Sequence, residues 1–356
     1  MCKQAPNIYD LNLSELQSIF ASLGQPAYRA SQLWQGLYQQ LWATPEEFTT
    51  FSKPQRQTLS KYVHFGTLSP KQTLQSKDGH TIKTLFKLAD NNTIETVLMS
   101  YQTRRTLCIS TQVGCPIGCA FCATGQMGFI RNLSCGEIIE QAIHFARHLK
   151  AKDEKLTNIV IMGMGEPFLN YDATMEAIDI LNHPLGFNFG ERRFTISTVG
   201  IIPMVEKFAR QKRQVNLAIS LHAADDDLRS TLIPLNKKYP IQDLMQVCED
   251  YIRITGRRIS FEWALIQNLN DTPQQAKLLA GRLKNMLCHV NIIQLNPIKG
   301  YPFKGSDRER TEAFCQELRR NHIHCTVRLR RGIDINAGCG QLASQSIKAQ
   351  PNQPML

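Results

Sequence analysis

The chain has 356 residues, 42% hydrophobic and 20% charged, with a formal net charge of +11; this balance excludes disorder and fibrous architectures and suits one large domain plus a small one. No apolar run approaches the roughly 18 residues of a membrane span, and the start Met1-Cys2-Lys3-Gln4-Ala5-Pro6 leads into polar sequence, so a cytoplasmic protein with no membrane attachment is expected. The basic excess points to a polyanionic partner, and eleven cysteines favour metal or redox chemistry over a disulfide framework.

Residues 1–65 read as a small N-terminal helical accessory domain. Leu13 to Phe20, Tyr28 to Tyr38 and Pro45 to Tyr62 carry apolar residues at helical spacing, with Leu33, Trp34 and Leu37 along one face. Over residues 66–104 the pattern shortens: Thr81 to Lys87 and Thr93 to Leu98 flank the turn Asp90-Asn91-Asn92 and predict a connecting β-hairpin. Residues 105–345 alternate strand-like and amphipathic helical stretches, which defines an α/β fold with a parallel sheet. The predicted strands are Leu107 to Ser110, Asn158 to Met162, Phe194 to Ser197, Val215 to Ser220, Ile259 to Leu265 and Val290 to Leu295, hence a partial (βα)6 barrel. Ser134 before Glu137 and Thr272 before Gln275 predict capping boxes at two helix starts. His324 to Leu329 is a further strand-like run before a Gly-rich end, and residues 346–356 read as a polar tail.

Cys115, Cys119 and Cys122 fall in the loop after the first barrel strand, on the rim where βα loops build active sites. A structural zinc site closes with four Cys or His ligands. Three cysteines on a four-iron cluster instead leave one iron without a protein ligand. From spacing alone a zinc-stabilised RNA-binding module and a radical enzyme for a small molecule stay open beside an RNA-modifying enzyme.

Further motifs follow in order along the chain. They are Cys108-Ile-Ser-Thr-Gln-Val-Gly-Cys115-Pro-Ile-Gly-Cys119-Ala-Phe-Cys122, Met162-Gly-Met-Gly-Glu166-Pro167, Ser197-Thr-Val-Gly200, Ser220-Leu-His222, Asn296-Pro297 and Gly332-Ile-Asp-Ile-Asn-Ala-Gly-Cys339-Gly-Gln-Leu342. Together they resemble the radical S-adenosylmethionine superfamily and, within it, the RlmN/Cfr family of RNA adenine methyltransferases. The resemblance implies a radical S-adenosylmethionine barrel whose Cys115, Cys119 and Cys122 hold a 4Fe-4S cluster, with S-adenosylmethionine chelated at the open iron and cleaved to a 5′-deoxyadenosyl radical. By the same resemblance Gly165, Glu166, Ser197, Ser220, Leu221, His222 and Asn296 contact the cofactor.

An adenine ring carbon cannot attack the methyl group of S-adenosylmethionine as an ordinary nucleophile. The resemblance therefore implies two molecules of S-adenosylmethionine per turnover: one methylates Cys339, and the radical from the other activates that methyl group for addition to the base. Cys108 then attacks the sulfur of Cys339, releasing product through a transient disulfide, and Glu95 accepts the ring proton. One departure from the family pattern is Gly338, where alanine is common, and it predicts a looser Cys339 loop. The implied substrates are 23S rRNA and tRNA at adenine C2, with C8 of the same rRNA adenosine as the alternative; Gln126 to Leu133 looks more like the C2 branch. An external one-electron reductant and a monomeric state complete the expectation.

Basic clusters at Arg104-Arg105, Arg192-Arg193, Lys207 to Arg213, Arg257-Arg258, Arg319-Arg320 and Arg328 to Arg331 are candidate RNA contacts. Arg29, Gln32, Trp34 and Tyr38 form a candidate aromatic and basic surface, although the spacing of Trp34 and Tyr38 equally suits a core.

Overall fold

The computed structural model describes residues 5–343; the predicted tail at 346–356 and Cys2 lie outside that range. Helix α1 (Leu13–Ser22) starts in a capping box between Asn12 and Glu15, and α2 (Tyr28–Gln35) runs into a π turn that ends at Leu41 in the left-handed region. The predicted third helix is shorter than its pattern. Pro45–Glu47 make only a 3-10 turn, and α3 spans Lys53–Tyr62 because Ser52 and Gln55 form a new capping box there.

These helices bury Leu16, Phe20, Leu33, Trp34, Leu37, Phe48 and Phe51 among themselves. Trp34 and Tyr38 are each 1% exposed, so they are core and not an RNA-facing surface. Arg29 is also committed internally, donating to Gln32 and the Thr50 carbonyl.

The predicted hairpin is a three-stranded meander: β1 (Ser69–Gln75), β2 (Thr81–Lys87) and β3 (Thr93–Ser100) pair antiparallel in turn. Strand β1 escapes a pattern search because all seven of its residues are exposed and none alternates with a core. Its Pro70 sits where an edge strand tolerates a missing N–H. The meander does more than connect, since β3 pairs antiparallel with β4 (Arg105–Cys108) and joins the main sheet.

After β4 come β5 (Gln112–Gly114), the short α4 (Ala123–Gln126) and β6 (Phe129–Asn132), then α5 (Cys135–Lys150) and β7 (Asn158–Ile161). Next are α6 (Tyr171–Asn182), β8 (Phe194–Thr198), α7 (Ile202–Arg210), β9 (Asn216–Ser220), α8 (Asp226–Leu232) and α9 (Ile241–Thr255). The chain closes with β10 (Ile259–Leu265), α10 (Pro273–Arg282), β11 (Cys288–Gln294), α11 (Arg308–Arg320) and β12 (Cys325–Val327). Strands β5 and β6 form their own small sheet; the others form one ten-stranded sheet in the order β1-β2-β3-β4-β7-β8-β9-β10-β11-β12. All pairings from β4 onward are parallel, so the six predicted strands are present and the run at His324 supplies a seventh, β12.

Helix α5 begins in the predicted box between Ser134 and Glu137. At α10 only half of the box forms: Thr272 accepts from the Gln275 N–H, but the Gln275 side chain is taken by the Ala224 N–H and Asp225. Helix α5 also fastens the N-terminal helices. Arg147 donates to the Leu41 and Trp42 carbonyls and to Tyr9, and Glu140 accepts from Asn7 and the Thr67 and Leu68 N–H groups.

Burial along the strands shows where the functional space lies. In β7, Ile159 and Ile161 are buried while Asn158 and Val160 are not fully so; β8 repeats this with Phe194 and Ile196 against Thr195 and Ser197, and β11 with Val290 and Ile292 against Asn291 and Ile293. The second set faces a cavity on the inner side of the sheet. Closed (βα)8 barrels fill this position with layers of branched apolar residues. Here the outer face is packed and the lumen is hollow, with polar groups such as Asn158, Thr195 and Asn291 set among apolar ones.

Candidate active site

Two adjoining cavities occupy the lumen, one of about 530 Å³ and one of about 160 Å³. The smaller lies against the loop after β5 and is bordered by all three of Cys115, Cys119 and Cys122. Backbone bonds shape this loop. Cys115 N–H donates to Gly128 (2.8 Å), Ala120 N–H to Leu232 (3.0 Å) and Ala123 N–H to Gly340 (2.7 Å). Gly118 has φ +70°, and a Cβ on Gly125 would stand 2.9 Å from the Cys119 nitrogen, so the turn requires both glycines.

Burial pushes all three thiols upward, so they bind metal only with proton loss. No three Cys, His, Asp or Glu side chains among the described residues converge on a single ion. Three thiols bordering one cavity are the donor set of a four-iron cluster that keeps one iron free of protein ligands, whereas a structural zinc site uses four.

Around the same cavity stand Gly165, Glu166, Ser197, Ser220, His222 and Asn296. Gly165 (φ +107°) has no room for a side chain, since a Cβ would lie 2.6 Å from Gln112 Cβ. Glu166 is buried, accepts from the Phe168 and Val199 N–H groups (3.0 and 2.9 Å), and has its pKa pushed up by that burial to about 7. Ser197 and Ser220 hydroxyls lie 3.1 Å apart.

His222, at φ +60°, accepts the Ala264 N–H at Nδ1 (2.9 Å), which puts its proton on Nε2. Burial and then the neighbouring Arg229 lower its pKa to about 3, so the ring is neutral. Asn296 donates to the Cys339 carbonyl (3.1 Å) while its Oδ1 has no partner, and Glu262 leaves Oε2 unpartnered in the same cavity. Such buried orphan acceptors await a ligand's donors, and S-adenosylmethionine carries hydroxyl and amino groups of that kind. Leu221 differs from this group: it is fully buried, borders neither cavity, and offers only backbone, its N–H going to Glu262 and its carbonyl accepting from Arg229.

The larger cavity holds Cys108, and Cys339 borders both cavities. Both thiols border the larger cavity; burial is the main cause of the raised Cys108 pKa and Cys339 the second. Burial likewise raises Cys339, and the Arg328 guanidinium opposes the rise at both sulfurs. Glu95 occupies neither lining. It is buried beside the cavities, paired with Lys83 at 2.8 Å and accepting the Ala343 N–H at 2.9 Å. Gly338 has a packing role: a Cβ there would lie 2.4 Å from Asn296 Nδ2. The Cys339 loop is tied by Asn296, by Gln341 to Pro297 and by Thr124 to Leu342.

Sequence reasoning missed three groups here: Glu262, Arg328 as a lumen residue, and Arg229, which is buried and donates to Asn236 and the Val199 and Ser220 carbonyls. A charged residue inside a strand or helix pattern was the available signal. Among the basic clusters, Arg104, Arg328, Arg330 and Arg331 border the larger cavity, whereas Arg105, Arg213 and Arg319 are tied to Glu154, to Asp179 and Glu191, and to Glu312.

A half-open α/β barrel with three cysteines at the rim of a hollow lumen defines a radical S-adenosylmethionine enzyme. Residues 109–276 match the model of the radical SAM superfamily, and residues 6–64 match that of the ribosomal RNA large subunit methyltransferase N-terminal domain. The probable dual-specificity RNA methyltransferase RlmN of Chloroflexus aurantiacus is 47% identical, over 95% of this chain and 93% of its own length, and that of Dictyoglomus turgidum is 43% identical over 96% and 98%. A radical SAM methyltransferase crystal structure from Sphaerobacter thermophilus superposes with TM-score 0.93 at 48% identity, covering 94% of this chain and 98% of that one. The chain belongs to the RlmN family of radical SAM methyltransferases.

Proposed function

We propose that this protein methylates C2 of a specific adenosine in 23S rRNA and of an adenosine in tRNA, using an S-methylated Cys339 and a transient Cys339–Cys108 disulfide. The observation that carries the reading is that Cys108 and Cys339 face one cavity that adjoins the three rim cysteines. A radical enzyme for a small molecule has no use for that second pair. A cluster on Cys115, Cys119 and Cys122, reduced by an external donor, would supply the electron that cleaves S-adenosylmethionine. Gly165, Glu166, Ser197, Ser220, His222 and Asn296 would hold the cofactor against it, with Leu221 supporting Ser220 and His222 from behind the cavity. Cys339 carries the methyl group into the lumen, and Cys108 severs the thioether afterwards. Nucleoside mass spectrometry of RNA incubated with the reduced enzyme tests this: 2-methyladenosine is expected, and 8-methyladenosine would instead place the chain with the C8 enzymes.

Glu95 is assigned the ring proton, supported by its burial within reach of the Cys339 loop. Glu95→Gln is expected to slow product release so that protein–RNA adduct accumulates on denaturing gels; unchanged turnover removes Glu95 from the chemistry.

The arginines at the mouth of the larger cavity support RNA entry there. RNA affinity is expected to fall steeply with salt, and Arg330→Ala to flatten the log–log slope by about 0.7, the contribution of one single-strand phosphate contact. Binding that is constant between low and physiological salt would contradict this.

A further inference from the structure

The segment that carries Cys339 hangs between two points on the meander. Lys83 of β2 and Glu95 of β3 point to the same side and are 8% and 6% exposed. Lys83 Nζ lies 2.8 Å from Glu95 Oε1 and donates to the Asn336 carbonyl at 3.0 Å; Glu95 Oε2 accepts the Ala343 N–H at 2.9 Å. Asn336 and Ala343 stand on either side of Cys339. One ion pair therefore grips both ends of the loop.

Two features raise the importance of Lys83. Lys83 holds Asn336 directly and also holds the Glu95 carboxylate that accepts from Ala343, so removing Lys83 cuts one tie and leaves the other resting on a buried acceptor without its partner. The loop is also turned sharply where it is gripped, with Gly332 and Asn336 in the left-handed region (φ +60° and +51°) and Gly332 pressed against Thr81. A non-glycine residue in that region needs surrounding contacts to stay there. The meander adds further ties, Lys77 N–H to Asp334 (2.9 Å) and Arg331 to Asp78 (3.8 Å), but these reach only the start of the segment.

We infer that the Lys83–Glu95 pair is a clasp that sets where Cys339 stands in the lumen, with Lys83 a positioning residue for both methyl loading and methyl transfer. The inference rests on Cys339 being the methyl carrier, and it assigns the meander a task beyond extending the sheet. Thioether chemistry tolerates little misplacement, because a reacting sulfur displaced by an ångström leaves the attack geometry.

The test uses full-length Lys83→Met and Lys83→Arg with two readouts. Amide hydrogen exchange over residues 336–343 is expected to speed up about tenfold in Lys83→Met, as one local opening barrier is lost, while β7 to β11 keep wild-type protection. Anaerobic incubation with S-adenosylmethionine, followed by mass spectrometry of the Cys339 peptide, is expected to show methyl loading slowed by about tenfold with an unchanged KM for the cofactor. Lys83→Arg, which keeps the charge and the donors, should recover most of both. Wild-type exchange in Lys83→Met, or acceleration spread evenly over the whole sheet, would overturn the clasp. If wild-type Cys339 itself is never methylated, the methyl-carrier reading fails, and the exchange measurement still decides whether the loop is clasped.

Discussion

Cys119→Ala is expected to leave a folded protein that binds almost no iron and cleaves S-adenosylmethionine at least about 10⁴-fold more slowly, a barrier increase of about 5.5 kcal/mol. Among the three rim cysteines Cys119 is the most enclosed, and its neighbours are held by backbone bonds that do not involve the sulfur, such as Ala120 N–H to Leu232. Loss of one small buried side chain costs about 1 kcal/mol or slightly more, so the fold should survive. The expected catalytic loss is large because the proposed cluster on the three rim cysteines is the group assigned to pass an electron to the cofactor. Iron and sulfide analysis after anaerobic reconstitution, with visible absorption and cofactor cleavage assays, checks this. A variant that keeps its full iron complement and cleavage rate would remove Cys119 from the cluster; a colourless wild-type protein that carries zinc would remove the cluster altogether.

Cys108→Ala should fail later in the reaction. Cluster assembly, cofactor cleavage and methyl loading of Cys339 are expected to proceed at near wild-type rates, because Cys108 borders the larger cavity and not the one beside the rim cysteines. Turnover should fall by about 10³-fold or more, the usual cost of removing a nucleophile, with RNA left covalently attached to Cys339. On the proposed mechanism the reason is the missing attack: Cys108 is the sulfur assigned to displace the methylated base from Cys339. Burial raises the Cys108 thiol, and the Arg328 charge beside it works in the opposite direction. Denaturing gels with labelled RNA would reveal the adduct, and digestion should place it on the Cys339 peptide. Multiple turnover at the wild-type rate without adduct would show that Cys108 is only a strand residue.

The rim cysteines were legible because three of them fall within one short loop, so the chain order displays them. The Gly165-Glu166 turn and the Cys339 loop were legible through the resemblance to the family, since their contacts with Gln112, Val199 and Asn296 join residues far apart in the chain. The parallel strands were legible for a related reason: their apolar faces pack under helices and alternate regularly. Strand β1 was not, since it pairs only through its backbone and buries nothing. Trp34 and Tyr38 show the same limit from the other side. Helical spacing places them on one face but does not say whether that face meets the core or a ligand, and the packing against His183 and Tyr9 decides it.

The sequence by itself determined the α/β class, the alternation of strands and helices and the three-cysteine rim loop, because each depends on residue type and local period, whereas Cys108 and Cys339 stood out only through the resemblance to the family. Only the tertiary structure decided that the barrel is hollow, that the meander joins its edge, that Arg104 and Arg328 to Arg331 and not the other basic clusters border the cavity, and that Lys83 and Glu95 hold the Cys339 loop from both sides. These features are contacts between residues far apart in the chain, and their partners are chosen by how the sheet curls and packs, which no local pattern records.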